Sequence, residues 1–206
     1  MPGTMISLHQ ADILAIVVGA SFASGLNVYA TIATLGLLSH LHIFQLPAAL
    51  QTLHSWPVII AAALLFALEF LADKIPLFDL FWNALHTFVR IPIAALLAYG
   101  ATQNLSPATQ MLATLLGGVL ALAAHGSKLA LRTAVTPSPE PFSNIGLSLG
   151  EDALAISLTW LATQHPIITA AVIAVLLLII ILAARWILRA LLRFWQRLRA
   201  ATLPAV

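Results

Sequence analysis

The side chains of this chain most able to do chemistry are a few acids, bases and amides that recur at helical spacing. Residues three or four positions apart share one face of an α-helix. We therefore expect four polar stripes, each on one helix. The candidate binding residues are Glu69 and Asp73 on the first stripe, Asp79, Asn83, His86 and Arg90 on the second, His125, Lys128 and Arg132 on the third, and Asn144, Ser148 and Glu151 on the fourth, together with Lys74 next to the first stripe, Asp152 next to the fourth, and Asn27 on its own.

Two interpretations of these stripes stay open. A charge at the centre of a membrane costs about 3 kcal/mol even on the lenient insertion scale, so such groups pair with one another or line a wet cavity. The amides, histidines and serine add uncharged donors and acceptors, which favours a polar cavity for an ion, a solute or a lipid head group. The alternative is an ion-paired girdle in which the acids neutralise the bases and clamp the helices.

Several other chemistries are disfavoured. The chain has no cysteine, which excludes disulfides, thiolate metal sites and a cysteine nucleophile. No H-E-x-x-H motif occurs, and nearby cations oppose a divalent ion, so we predict no metal site and no cofactor. Ser148 lies in Gly146-Leu147-Ser148-Leu149-Gly150, but within an apolar run rather than after a strand. We therefore assign no catalytic residue.

Apolar segments must position these side chains. Hydrophobic residues make up 61% of the 206 residues and charged residues 8%, against about 25% charged in an average soluble domain. Segments 13–68, 91–127 and 153–184 contain no Asp, Glu, Lys or Arg. Apolar stretches of about 18 residues or more are typical of membrane-spanning helices. We expect an all-α integral membrane protein, with residues 1–206 forming a single transmembrane helical domain.

The polar breaks between apolar segments predict six transmembrane helices. The first, 12–41, is interrupted near Ser24–Asn27 and is expected to be broken there. Similar polar turns in 56–103 and 107–164 suggest a parallel repeat of two helical hairpins. The last helix continues into a basic cytoplasmic C-terminal tail, 185–206.

The cations are distributed asymmetrically. With six spans, all nine lysines and arginines fall on one side of the membrane. Positive residues are enriched on the cytoplasmic side, so both termini are expected to be cytoplasmic. On this reasoning, five or seven spans would scatter the cations to both sides.

Several motifs resemble one known family. The motifs are Ser24-Gly25-Leu26-Asn27-Val28-Tyr29, Glu69 with Asp73-Lys74-Ile75-Pro76 and Asp79, His86-Thr87-Phe88, Pro139-Glu140-Pro141-Phe142-Ser143-Asn144, and Ser148-Leu149-Gly150-Glu151-Asp152. With these motifs the chain is similar, over about residues 12–165, to a bacterial membrane family catalogued as domain of unknown function 4126. This resemblance implies a membrane fold in a bacterial inner (plasma) membrane and brings no established activity.

The function that we predict is a membrane transporter or channel for an ion or small, anionic solute, with its site near the cytoplasmic leaflet. The alternatives are a membrane-embedded enzyme or lipid-handling protein that acts on a head group, and a structural partner protein with an ion-paired core. The expected partners are membrane lipids, a small ligand and further copies of the chain. Five of the nine cations crowd into 185–199 beside an apolar segment, which argues against nucleic acid.

The stripes are expected to converge. If they form one site, six of their residues lie together and face the bundle interior. The six residues are Glu69, Asp79, His86, Lys128, Asn144 and Glu151.

Overall fold

A computed structural model describes residues 10–135 and 141–202 of the chain. Side chains are described for these residues except 76, 77, 79, 80, 135, 141, 144 and 197–202. Within this part the chain is helical and has no strand. The elements are α1 (Gln10–Leu26), α2 (Val28–His40), a 3₁₀ helix (Ala48–His54), α3 (Trp56–Ala72), α4 (Pro76–Ala101), α5 (Pro107–Val135), α6 (Pro141–Gln164) and α7 (Pro166–Thr202).

Proline marks where the long helices begin. The helices α4, α5 and α7 each start at a proline. Proline suits the first helical position, because its fixed φ is helical and its missing N–H would be unpaired there. The positions of proline in the sequence therefore account for where these three helices begin.

Within residues 10–135 and 141–202, four helices are long and apolar enough to cross a membrane, by length and composition alone. The crossing segments are Phe81–Ala101, Pro107–Ala134, Ile145–Gln164 and Pro166–Gln196. A fifth is added if the 3₁₀ helix and α3, bent by 68° relative to each other, count as one span. The exposed side chains of these helices include many large apolar ones, such as Leu64 and Leu115. The expectation of an all-α membrane protein is confirmed.

The first two helices form a V-shaped hairpin with Asn27 at its apex. Ala20 of α1 and Leu35 of α2 pack into one apolar cluster with Leu46, which precedes the 3₁₀ helix. Ile13, near the start of α1, lines the same apolar cavity as Leu35. Residues on either side of Asn27 thus approach the same end of the bundle.

The predicted break in the first apolar segment is confirmed, but its predicted single crossing is not reproduced. The two arms return to one end, so the helices give four or five candidate spans rather than six. A charge-free segment is equally apolar whether it traverses a membrane or doubles back. Hydropathy therefore locates the apolar segment but does not distinguish a crossing from a hairpin.

The hairpin lies inside the bundle. The α1 helix packs against α4, α5 and α6, while α2 packs against α3 and α6. Gly25 allows one of these close approaches, since a Cβ there would lie 2.4 Å from the carbonyl oxygen of Ala121. The helix pairs α3–α4 and α5–α6, which correspond to the two predicted hairpins, flank this insert. Their relation as a repeat stays a prediction.

The chain divides into two compact units after Ile173. The first contains all helices up to the start of α7. The second begins at Ala174 and contains the remainder of α7, in which Arg185, Arg189 and Arg193 are exposed. The assignment of 1–206 to one domain with a basic tail from 185 stays a prediction.

Candidate functional site

Seven charged residues of the predicted set meet in the interior of the first unit, at the apex of the hairpin. Each of the seven is at most 7% exposed. We call them the charged cluster, and they come from α3 to α6 and the turn that follows α3. The charged cluster consists of Glu69, Asp73, Arg90, Lys128, Arg132, Glu151 and Asp152.

Lys128 lies at the centre of the charged cluster. Its Nζ is 3.4 Å from Glu69 Oε1, 3.3 Å from Asp73 Oδ2 and 3.5 Å from Glu151 Oε2. One ammonium group thus pairs with carboxylates of α3, of the α3 terminus and of α6. Such multiple pairing offsets part of the cost of removing a charge from water.

Arg132 joins the same helices one turn further along α5. Its Nη2 lies 3.0 Å from Asp73 Oδ2 and 2.6 Å from Glu151 Oε2. Its Nη1 also donates to the Asp73 carbonyl at 3.2 Å, where α3 ends. A cation at a helix C-terminus is stabilised by the unpaired carbonyls there. The Ser148 hydroxyl also donates to Asp73 Oδ2, at 3.4 Å.

Arg90 pairs with Glu69 and reaches the hairpin. Its Nη2 donates to Glu69 Oε1, and its Nη1 lies 3.4 Å from the Gly25 carbonyl oxygen. Nη1 also lies 2.9 Å from Nδ1 of His125. A guanidinium group only donates, so Nδ1 accepts and the hydrogen of neutral His125 is on Nε2. That Nε2 lies 2.8 Å from the Thr87 hydroxyl, which accepts its hydrogen.

Asn27 connects the apex to the charged cluster through both ends of its amide. Its Oδ1 accepts from the backbone N–H of Ala30 at 2.9 Å, which caps α2. Its Nδ2 donates to Asp152 Oδ1 at 2.9 Å. Lys128 Nζ lies 3.3 Å from the Leu26 carbonyl oxygen, so the C-terminus of α1 faces a cation.

A second hydrogen-bonded chain passes beside the apex. His86 Nδ1 lies 2.8 Å from the Trp82 carbonyl oxygen and therefore carries the hydrogen. Its Nε2 then accepts from the Tyr29 hydroxyl at 3.1 Å. Tyr29 is two residues from Asn27. Two residues of the second stripe therefore contact the hairpin, His86 through Tyr29 and Arg90 through Gly25.

The remaining predicted residues are placed as follows. Asn83 is fully buried on α4. Lys74 lies in the turn after α3, with its Nζ over the ring of Phe70 and 2.8 Å from the Phe70 carbonyl oxygen. Partial burial lowers the pKa of Lys74, against the opposing effect of Asp152 and Asp73. The side chains of Asp79 and Asn144 lie outside the described residues.

Four of the six residues expected to converge have described side chains, and all four are buried. They are Glu69, His86, Lys128 and Glu151. Lys128 contacts both acids directly, whereas His86 contacts Tyr29 of the hairpin. Their assignment as a binding site stays a prediction.

Several buried polar atoms of the charged cluster make no hydrogen bond to the described residues. These atoms are Glu69 Oε2, Arg90 Nε, Glu151 Oε1 and Asp152 Oδ2. Buried polar atoms are nearly always paired, so each such atom calls for an explanation. The four acids and three bases of the charged cluster also carry a formal charge of −1 when all are ionised. No three His, Asp or Glu side chains among the described residues are placed to hold a metal ion.

Sequence reasoning missed two groups of polar contacts. Tyr29 contacts His86, and Thr87 contacts His125. In the sequence Tyr29 lies two positions after Asn27, and Thr87 directly follows His86. The carbonyl groups of Gly25 and Leu26 accept from Arg90 and Lys128. The predicted break at Ser24–Asn27 was the available signal, since a helix break frees carbonyls for other donors.

Comparison with known proteins gives a family and no activity. No curated protein and no solved structure matches the chain. The family described as Domain of unknown function (DUF4126) matches residues 14–186, which include the apex of the hairpin and all of the charged cluster. The chain belongs to this family.

Proposed function

We propose that this protein is a membrane transporter for an ion or small solute, and that the charged cluster with the apex at Asn27 is its site. The observation that carries the proposal is the burial of three cations and four carboxylates against a helix break inside a membrane bundle. Ionisable groups in such positions are costly, and they mark ion pathways and proton relays in other membrane proteins.

The broken hairpin supports transport. Many transporters bind substrate between discontinuous helices, whose ends offer unpaired backbone groups at membrane depth. Here the carbonyls of Gly25 and Leu26 face Arg90 and Lys128, and Asn27 caps the second arm. A movement of the hairpin relative to α4 or α5 would therefore change the partners of two buried cations.

The geometry favours a proton or a cation over the anionic solute expected from sequence. Arg90, Lys128 and Arg132 each already have a carboxylate partner. An anion would have to displace one of these carboxylates. A proton or cation would instead meet the carboxylate oxygens that lack a hydrogen bond to the described residues.

A structural role is the second candidate, and the completeness of the ion pairing favours it. Every cation of the charged cluster contacts at least one carboxylate within 3.4 Å, and these pairs join α3, α4, α5 and α6. A clamp of this kind would hold the helices around the hairpin without binding a ligand.

Reconstitution into liposomes separates the two candidates. Rapid concentration jumps of protons, Na⁺, K⁺, Cl⁻ and phosphate are applied to supported proteoliposomes, and the transient currents are recorded. We expect a current for at least one ion, which the Glu69→Gln variant loses and Arg193→Ala retains. Folded protein that gives no more current than protein-free liposomes for any of these ions would favour the clamp.

The proposed setting is the inner membrane of a bacterium, with the basic end of α7 on the cytoplasmic side. Exposed Arg185, Arg189 and Arg193 recur every four residues beside Trp186 and Trp195. Arginines and tryptophans at such a position contact phosphates and the membrane interface. Lipids are therefore the proposed partners of this segment, and self-association of the chain remains a proposal without a described interface.

A further inference from the structure

Asp152 differs from the other carboxylates of the charged cluster. Glu69, Asp73 and Glu151 each contact two of the three buried cations. Among the described residues, no Lys or Arg nitrogen lies within 4.0 Å of Asp152. Its Oδ1 accepts from Asn27 at 2.9 Å, and its Oδ2 is buried without a hydrogen-bond partner in the described part of the chain.

An ionised carboxylate is unfavourable in this environment. Asp152 is only 4% exposed, and burial without a paired charge disfavours the charged form. The charged groups that act on it are Glu69 and Asp73 from the α3 side, which repel a negative charge, and Lys128 of α5 and Lys74, which attract it. Adjacent Glu151 has its charge engaged by Arg132 and Lys128.

We infer that Asp152 is a proton-binding site at the apex of the hairpin. The proton adds to Oδ2 and forms an O–H bond, while Oδ1 keeps its hydrogen bond from Asn27. The neutral acid fits this buried position, where Oδ2 has no hydrogen-bond partner among the described residues, and the proton leaves to water when the apex becomes hydrated. This inference rests on the proposed transport function for its role, whereas proton binding itself is measurable without transport.

Asn27 links the proton to the backbone. The same amide that donates to Asp152 caps α2 through Ala30. Hydrogen bonds to an ionised carboxylate are stronger than those to a neutral acid. Loss of the proton therefore strengthens the hydrogen bond from Asn27 to Asp152. Because Asn27 also caps α2, protonation of Asp152 is coupled to the conformation of the hairpin.

Protonation of the other acids would disrupt the charged cluster. Glu69 Oε1 accepts from Arg90 and Lys128, and Glu151 Oε2 accepts from Arg132 and lies near Lys128. Neutralising either acid would leave a buried cation with fewer partners. Asp152 gains or loses a proton without breaking any ion pair of the described residues.

Infrared titration tests the inference on the full-length protein in detergent. The protein is labelled with ¹³C-carboxyl aspartate, and difference spectra are recorded as the pH is lowered. We expect an isotope-shifted carboxylic-acid C=O band that Asp152→Asn loses and Asp12→Asn, the matched control in α1, retains. In Asp152→Glu, which keeps an acid at this position, the labelled band is lost and an unlabelled one replaces it.

Each outcome decides the inference. The inference is overturned if the band assigned to Asp152 persists unchanged in Asp152→Asn. It is also overturned if the wild-type protein remains folded and shows no such band. A band that follows Na⁺ concentration rather than pH also overturns it, in favour of a cation. If Asp152→Asn does not fold, the change of isotope in Asp152→Glu gives the answer.

The infrared test and the liposome test fail independently. A proton band at Asp152 without any ion current would leave the proton site standing and refute transport. An ion current without the band would leave transport standing and refute the proton site.

Discussion

At the scale of single residues, the partners of each charge decide its importance. Glu69 is the carboxylate partner of Arg90, and it also contacts Lys128. Arg132 contacts two carboxylates, Asp73 and Glu151, and so retains one if the other is removed. The number of remaining partners therefore predicts how strongly a substitution destabilises the protein.

Glu69→Ala should lower thermal stability strongly. Removing one partner of a buried ion pair typically costs about 3–5 kcal/mol, because the stranded charge has no compensation. Glu151→Ala should cost less, since Arg132 keeps Asp73. Melting of the detergent-solubilised variants measures both effects. The control is Arg193→Ala in the exposed part of α7, where loss of a charge costs at most about 1 kcal/mol.

Unperturbed melting of both glutamate variants would contradict the clamp. In that case water must hydrate the stranded cations, and the ion currents should be lost instead. A large drop in melting temperature for Glu69→Ala, without any measurable current in the wild type, would favour the structural candidate.

Asn27→Ala tests the apex. It removes the cap of α2, which typically contributes about 1 kcal/mol, and the hydrogen bond to Asp152. Asn27→Asp keeps an acceptor for Ala30 and places a second acid beside Asp152. We expect Asn27→Asp to melt at a lower temperature at neutral pH than at acidic pH, where one of the two acids is protonated. A melting temperature that is independent of pH would contradict the contact.

At the scale of elements, the hairpin depends on small residues. Any side chain at Gly25 would place its Cβ 2.4 Å from the Ala121 carbonyl oxygen and 2.8 Å from the Ala124 Cβ. Arg90 also contacts the Gly25 carbonyl, so a displaced α1 terminus would weaken the charged cluster.

Gly25→Ala should therefore destabilise the protein by about 1–3 kcal/mol, the usual cost of overpacking. Gly126→Ala is the matched control, because nothing lies within 4 Å of a Cβ there and alanine favours the helix. Melting temperatures of the two variants should move in opposite directions. Equal melting would show that α1 does not approach α5 closely at Gly25.

The sequence predicted the elements better than their arrangement. Charge-free segments and prolines located the helices, and the polar spacing located the residues of the charged cluster. Asn27 was identified as part of a break, but a single residue does not report whether the chain continues or turns back. The contacts of Ala20 and Leu35 with Leu46 decide that question, and such contacts between distant residues leave no periodic pattern.

At the scale of the whole molecule, the hairpin changes the expected topology. If α1 and α2 enter and leave at one end, the apolar segment 12–41 no longer counts as a crossing. The lysines and arginines can then lie on one side with five spans. Five spans would scatter them to both sides only if segment 12–41 were itself a crossing.

Reporter fusions test this topology. We expect a fusion after the basic end of α7 to report the cytoplasm, and fusions at the N-terminus and within 44–54 to report the opposite side. The reason is that both arms of the hairpin approach the 3₁₀ helix. A cytoplasmic report from the N-terminus would restore a single crossing for residues 12–41.

The hairpin also has a consequence for biosynthesis. The helix α1 is synthesised before α4, α5 and α6, against which it packs. The buried surface of α1, including Ser21 and Ser24, has no partner from those helices until they are inserted. We therefore expect the hairpin to remain without these packing partners until the later helices are inserted. Nascent chains that end before α6 are expected to be degradation substrates, even though every helix made by then is complete.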